Sequence, residues 1–392
     1  MKVGVWARLI VGAALLSLAG CGNFWHKPSG GGGGCTTNCN TTASGNFYVL
    51  NSETKQIGAF SITTSATLQT ISGSPYDLSV SPLSIAISPV HSFLYIGTAL
   101  GIYVYSINAS TGALTQAGSG PISQDFASTM QVDPSGTWLV DAGPGGTDSV
   151  VVSAIQLDPS TGLQASNKEE QVGLSGNTVE QMTISPDGNN VFVALGSSGT
   201  VVIPFVATNS DPFSSSTTKI PVIGTGGAAL SVAVDPLNRL FYIGETVAVS
   251  GNNTGGLRVF DYTTLGNTLS ELQHSPFATQ GLAPKAIQPE STGSFVYVAN
   301  GLGTSNGNVA AFSLTTTGGA LSLTAGATAA AGVTPSGIAE DNTNTYILVT
   351  AAGGNKDLTA FTFNSTSGTL TSALTASTGT DPVLAVGIAA AP

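Results

Sequence analysis

Two ionisable side chains, Glu180 and Lys285, are the groups in this chain best suited to chemistry on a carbonyl. A carboxylate takes a proton from attacking water, and an ammonium holds the oxyanion that the attack creates. The expectation is a weak catalytic pair, with Glu180 as base and Lys285 as anion holder, or else a plain ion pair of rim charges across an opening. Other such groups are scarce. Only 8% of the 392 residues are charged, which leaves few acids and bases to perturb one another. His26, His91 and His274 are far apart, so no metal site is expected. Gly303-Thr304-Ser305-Asn306-Gly307 matches the string of a nucleophile elbow. That motif works on a strand-to-helix corner with a histidine in reach, and here it joins two strands. No phosphate-loop, calcium-loop or zinc-protease string is present, so no cofactor is expected.

The elements that must position these groups form a repeat. One copy reads Ser84-Ile85-Ala86-Ile87-Ser88-Pro89, then Phe93–Ile96, then Ile102–Tyr105, then Thr111-Gly112-Ala113-Leu114. The turn after each first strand falls at Pro89, Pro134, Pro186, Pro236, Ser291 and Asn342. Short runs rich in Val, Ile, Tyr and Phe, bounded by Gly, Asn, Ser and Pro, read as strands. A period of about 50 residues made of four strands marks a β-propeller. Six whole units are present. A lone first strand at Val383–Ile388 and three strands within residues 47–71 supply a seventh. The expected fold is all-β: a seven-bladed propeller of four antiparallel strands per blade, closed by pairing of the C-terminal strand with N-terminal strands.

In that register the mouth of the central channel is lined by Ser84, Ser128, Thr129, Glu180, Gln181, Ser231, Lys285 and Ser336. The loops between second and third strands share this face. They are long in three consecutive blades, at residues 245–256, 301–308 and 351–357. Loops gathered on one face often build a binding ridge. The candidate ligand-binding residues are therefore Glu180, Gln181 and Lys285 at the mouth, with Asn252, Asn253, Asn306, Asn355, Lys356 and Asp357 on the ridge.

The N-terminus reads as an address. Lys2 and Arg8 flank an apolar run, Leu9 to Leu18, too short to span a bilayer, which ends in Leu18-Ala19-Gly20-Cys21. Residues 1–20 are the expected signal peptide, and Leu-Ala-Gly-Cys resembles a bacterial lipobox. That resemblance implies a lipid on Cys21. Gly22, in place of Asp, implies the outer membrane of a Gram-negative envelope. Residues 21–44 form a Gly-rich tether with a reach of roughly 25 Å, and residues 45–392 form the propeller. Cys35 and Cys39, left in an oxidising compartment, are expected to form a local disulfide. Losing residues 1–20 removes Lys2 and Arg8 and no acid, taking the net charge from −11 to −13. Nucleic acid is excluded as a partner, because phosphate binding needs clustered Lys and Arg. The expected contact with membrane is the lipid alone, and the expected assembly is a monomer.

Recurrent strings carry a family resemblance. They are Tyr297-Val298-Ala299-Asn300 and Tyr48-Val49-Leu50-Asn51, with Ala59-Phe60-Ser61-Ile62 and Ala311-Phe312-Ser313-Leu314, and Thr111-Gly112-Ala113-Leu114 with Ser367-Gly368-Thr369-Leu370. Over residues 45–392 the chain resembles the lactonase-like seven-bladed propellers, the group of 6-phosphogluconolactonase-type and YVTN-repeat proteins. The strings are structural and do not carry catalysis. Three readings follow: a module binding a carbohydrate, lactone or protein; a hydrolase opening a sugar lactone; a surface scaffold. The scarcity of ionisable groups favours the first.

Overall fold

The computed structural model describes residues 43–176, 178–246, 255–301, 306–317, 319–354, 356–378 and 385–391. The expected residues Cys21, Cys35, Cys39, Asn252, Asn253, Asn355, Val383 and Leu384 lie outside them.

Blade one joins the chain ends. Ala385–Ala391 runs antiparallel to Ala43–Asn51, from Asn46 opposite Ala391 to Asn51 opposite Ala385. Gln56–Thr63 follows, and both Leu68–Thr70 and the short Tyr76–Asp77 pair with its outer edge. The closing strand thus runs three residues beyond the expected Ile388. In blades two to six the first strands are Pro82–Ile87, Thr129–Val132, Gln181–Ile184, Ala229–Val234 and Pro284–Pro289. Each lies beside the first strand of the next blade, and Ala385–Ala391 lies between Ala320–Glu340 and Pro82–Ile87, which closes the ring.

Blades six and seven share one strand. The first part of Ala320–Glu340 pairs with Asn306–Thr317 as the outer edge of blade six. Its last part pairs with Tyr346–Gly353 as the inner strand of blade seven. The bend falls at Gly332 and Thr334, both with positive φ. The run from Ala320 to Ala331 is made of small and apolar residues, with nothing to stop the ladder.

The core is divided among the blade boundaries. Seven apolar clusters occupy the seven boundaries, from Tyr48, Leu50, Ile87 and Leu94 between blades one and two, round to Phe47, Phe60, Tyr346 and Leu348 between blades seven and one. Both faces of each sheet are therefore buried, which explains strands that are apolar throughout instead of alternating.

The recurrent strings acquire physical roles. The tyrosine of the recurrent string, inside a second strand, reaches the next blade. Tyr48 Oη donates to the Gly112 carbonyl at 2.7 Å and Tyr297 Oη to Gly368 at 3.1 Å. Those glycines hold φ near +70°, and a Cβ on Gly368 would lie 2.4 Å from the Phe295 ring. The residue before each Pro-type turn closes the hairpin. Ser88 Oγ accepts from the Phe93 amide at 3.0 Å, Asp133 from Trp138 at 2.6 Å and Asp341 from Thr345 at 2.7 Å.

Candidate functional site

The starts of the first strands crowd round one end of the channel, and most of their polar side chains hold neighbouring blades together. Ser84 Oγ donates to the Ala127 carbonyl at 2.7 Å, and Ser231 Oγ to the Pro284 carbonyl at 2.7 Å. Thr129 Oγ1 accepts from the Met182 amide at 3.2 Å, and Gln181 Oε1 from the Val232 amide at 3.0 Å. Each bond crosses from one blade to the next. Gln181 therefore ties blade four to blade five through its carbonyl oxygen.

Glu180 and Lys285 are brought together. Lys285 Nζ donates to Glu180 Oε2 at 3.4 Å, with 41% and 27% of the two side chains exposed. Glu180 precedes the first strand of blade four and Lys285 lies in that of blade six, so the pair spans blade five. As a long, half-exposed pair it adds little to stability, roughly 0–1 kcal/mol. It leaves a carboxylate oxygen and ammonium hydrogens available to a bound hydroxyl or carbonyl.

The ridge residues do not behave alike. Asn306 begins the third strand of blade six. Lys356 is exposed and donates to Thr375 Oγ1 at 3.2 Å. Asp357 is buried. It accepts from the Thr378 amide at 2.7 Å and the Thr378 hydroxyl at 2.5 Å, while Asn51 Nδ2 donates to that hydroxyl at 3.3 Å. It therefore fastens the end of blade seven to blade one, and the expectation of an exposed recognition group at this position does not describe it. His91 and His274 lie in separate turns at positive φ. Among the described residues, no three His, Cys, Asp or Glu side chains are grouped so as to hold a metal ion.

Two carboxylate groupings on the mouth side were not anticipated. In blade five, Glu245 ends the second strand, 2% exposed. Arg258 Nη1 donates to Glu245 Oε1 at 3.1 Å and to the Pro221 carbonyl at 2.8 Å, and Arg258 Nη2 to Glu271 Oε2 at 2.9 Å. Its guanidinium lies 4.7 Å from the centre of the Phe260 ring. Burial pushes Glu271 up, but hydrogen bonds from Arg258 and Ser275 and the charge of Arg258 prevail and hold it below the ordinary carboxylate value.

Blade three has carboxylates in related places and no arginine. Asp141 is 1% exposed on the second strand, with Oδ2 buried and unpartnered; Asp125 Oδ2, on the linker from blade two, is also buried and unpartnered. Burial, then the nearby Asp125 and Glu169 charges, push Asp141 well above the ordinary range. Burial and the Asp125 charge raise Glu169 too. The registers make the two blades comparable. Arg258 pairs across from Ile243, and Ser153 across from Asp141. Glu271 bridges to Phe260, and Glu169 pairs with Ile155. Ser153 thus stands where blade five has Arg258, and Glu169 where it has Glu271. A sequence signal existed: Trp138-Leu139-Val140-Asp141-Ala142 puts a charge inside an apolar second strand.

A third grouping lies at the opposite channel end. Burial, then the Glu290 charge, push Glu340 up to about 8, while it accepts from the Ser291 amide at 2.7 Å.

The family model described as lactonase, 7-bladed beta-propeller, matches residues 43–180 and 247–386. A putative 6-phosphogluconolactonase from Bacteroides fragilis superposes with TM-score 0.68 at 16% identity, covering 91% of this chain and 100% of that one. The periplasmic gluconolactonase of Pseudomonas aeruginosa gives 0.66 at 16% identity, covering 89% and 99%. A putative 6-phosphogluconolactonase from Bacteroides uniformis gives 0.67 at 16%, covering 88% and 99%. No curated protein matches the sequence.

Proposed function

Because the chain belongs to the family of seven-bladed lactonase propellers, we propose that it is an exported, lipid-anchored binding module that takes a neutral polyhydroxy ligand of the sugar-lactone type at the channel mouth. The observation that carries this reading is the Glu180–Lys285 contact at 3.4 Å. The ammonium already occupies the carboxylate, so the pair offers one acceptor and one donor edge to hydroxyls. Ser84, Ser231, Thr129 and Gln181 serve inter-blade bonds. A phosphorylated lactone is a poorer fit, because its dianion would meet a single lysine beside a glutamate on a chain of net charge −11. The lipid at Cys21 and the tether of residues 21–44 put the module in the cell envelope, where unphosphorylated sugars are the natural class of ligand.

Hydrolysis is the second reading, favoured by the family and by the names of two groups of structural neighbours. Water would attack the lactone carbonyl while Glu180 takes its proton and Lys285 holds the oxyanion. Collapse would break the ring C–O bond, and Glu180 would return the proton to the leaving alkoxide, giving the hydroxy acid.

One experiment separates the two. The full chain is screened by thermal shift against glucono-lactone, oligosaccharides and divalent metals, alongside E180Q and K285M, while lactone opening is followed by acid release. Binding predicts a melting shift lost in both variants without acid release above background. Hydrolysis predicts acid release lost in E180Q. A lactone response unchanged in both variants removes the mouth from either reading.

A further inference from the structure

Blade three encloses carboxyl groups that no base of the chain accompanies. Asp141 is 1% exposed, and its Oδ2 has no hydrogen-bond partner. Asp125, on the linker entering the blade, presents a second buried, unpartnered Oδ2. Glu169, half-buried on the fourth strand, is held by the Ser123 hydroxyl, which also accepts from the Asp125 amide at 3.1 Å. None of the ion pairs among the described residues involves these acids. Lys168, a neighbour of Glu169 in sequence, turns to the other face and lies 5.3 Å from the Trp138 ring. An isolated buried carboxylate is costly, and a cation that joins it removes that cost.

The place of the missing partner follows from the repeat. In blade five the equivalent strand position holds Arg258, which meets an acid from the second strand, an acid beside the fourth strand and a linker carbonyl. Blade three keeps the fourth-strand acid as Glu169, carries its second-strand acid, Asp141, at the place of Ile243 with Gly143 where blade five has Glu245, adds Asp125 on the linker, and has Ser153 in place of the arginine. The three carboxylates are not grouped for a metal ion. A planar guanidinium, with five donors on a fork, can reach groups that are spread apart. The surroundings suit an apolar stem. Leu100 is 62% and Phe126 40% exposed on the turn and linker that frame this boundary, and the turn packs against residues 121–124.

We propose that the boundary of blades two and three is a binding site for a guanidinium group carried on an apolar stem, held by Asp141, Asp125 and Glu169 in the place that Arg258 fills in blade five. The site is separate from the channel mouth and does not depend on the function proposed there. Small organic guanidines and arginine side chains of a peptide share this chemistry.

Calorimetric titration of the full chain in low-salt neutral buffer tests it. The probes are agmatine, a short acetylated peptide with one arginine between two apolar residues, the same peptide with citrulline, and calcium chloride. Agmatine and the arginine peptide should bind saturably, and the citrulline peptide at least about tenfold more weakly. D141N should weaken binding by about tenfold or more. S153R, which supplies the guanidinium from within, should abolish binding and raise the melting temperature. If S153R or D141N does not fold, D125N, on the half-exposed linker, should show the same loss. A peptide tighter than agmatine assigns the site to a polypeptide partner; equal affinities assign it to a small guanidine. Absence of binding at millimolar probe, equal affinity in the aspartate variants, or displacement of the peptide by an equal concentration of calcium would each overturn the proposal.

Discussion

In blade five a carboxylate buried near the channel mouth meets a guanidinium from the adjacent strand. In blade three the matching strand position holds Ser153, and Asp141 faces two further acids. The consequence is visible in two glutamates that occupy the same place in the repeat. Glu271, beside Arg258, is held below the ordinary carboxylate range, whereas Glu169, beside Asp141 and Asp125, is raised. One strand position therefore decides whether the top of a blade is neutralised from within. Glu180 and Lys285 form an intermediate case, paired but across the mouth and half in solvent.

The largest expected effect comes from destroying the internal solution. R258A strands Glu245 in the core without its cation, and should lower unfolding stability by about 3–5 kcal/mol in denaturant titrations. Blade three should respond in the opposite direction. A carboxyl whose folded pKa is raised binds more protons folded than unfolded, so stability falls as pH rises from the unfolded value toward the folded one. D141N should thus be neutral or stabilising at neutral pH, and the wild-type decline in melting temperature as pH rises above the ordinary aspartate range should shrink in the variant. A D141N protein destabilised as strongly as R258A would abolish the contrast between the blades.

The opposite channel end sharpens the same rule. Glu340, at about 8, should cost stability progressively as pH climbs from about 4.5 to about 8. E340Q should flatten that part of the melting curve against pH, by an amount on the order of 1–3 kcal/mol at the alkaline end. The smallest effect belongs to the mouth. K285M should change stability by no more than about 1 kcal/mol, while removing any thermal response to a sugar lactone.

Much of the architecture was legible because it is written locally and repeatedly. The turn after each first strand, the second strands from Phe93 to Tyr346 and the split blade all follow from short runs and their punctuation. Ala320–Glu340 escaped because its bend is set by pairing with two different blades and not by a sequence stop. The mouth pair was legible once the register was known. Asp357 was misread because its burial depends on Thr378 and on Asn51 from the far end of the chain. The blade-three acids escaped for a related reason: Asp125, Asp141 and Glu169 come from a linker, a second strand and a fourth strand, and only the folded blade shows that no base accompanies them.

The seam of blade one sets the order of events in making the protein. Ala385–Ala391 follows every other described strand in chain order, yet it supplies the innermost strand beside Ala43–Asn51, which is made long before. Until that strand arrives, the N-terminal sheet exposes an unpaired edge next to the channel and the circle of blades stays open. A chain that has not yet made this strand cannot complete its native ring, whatever else of it has already folded.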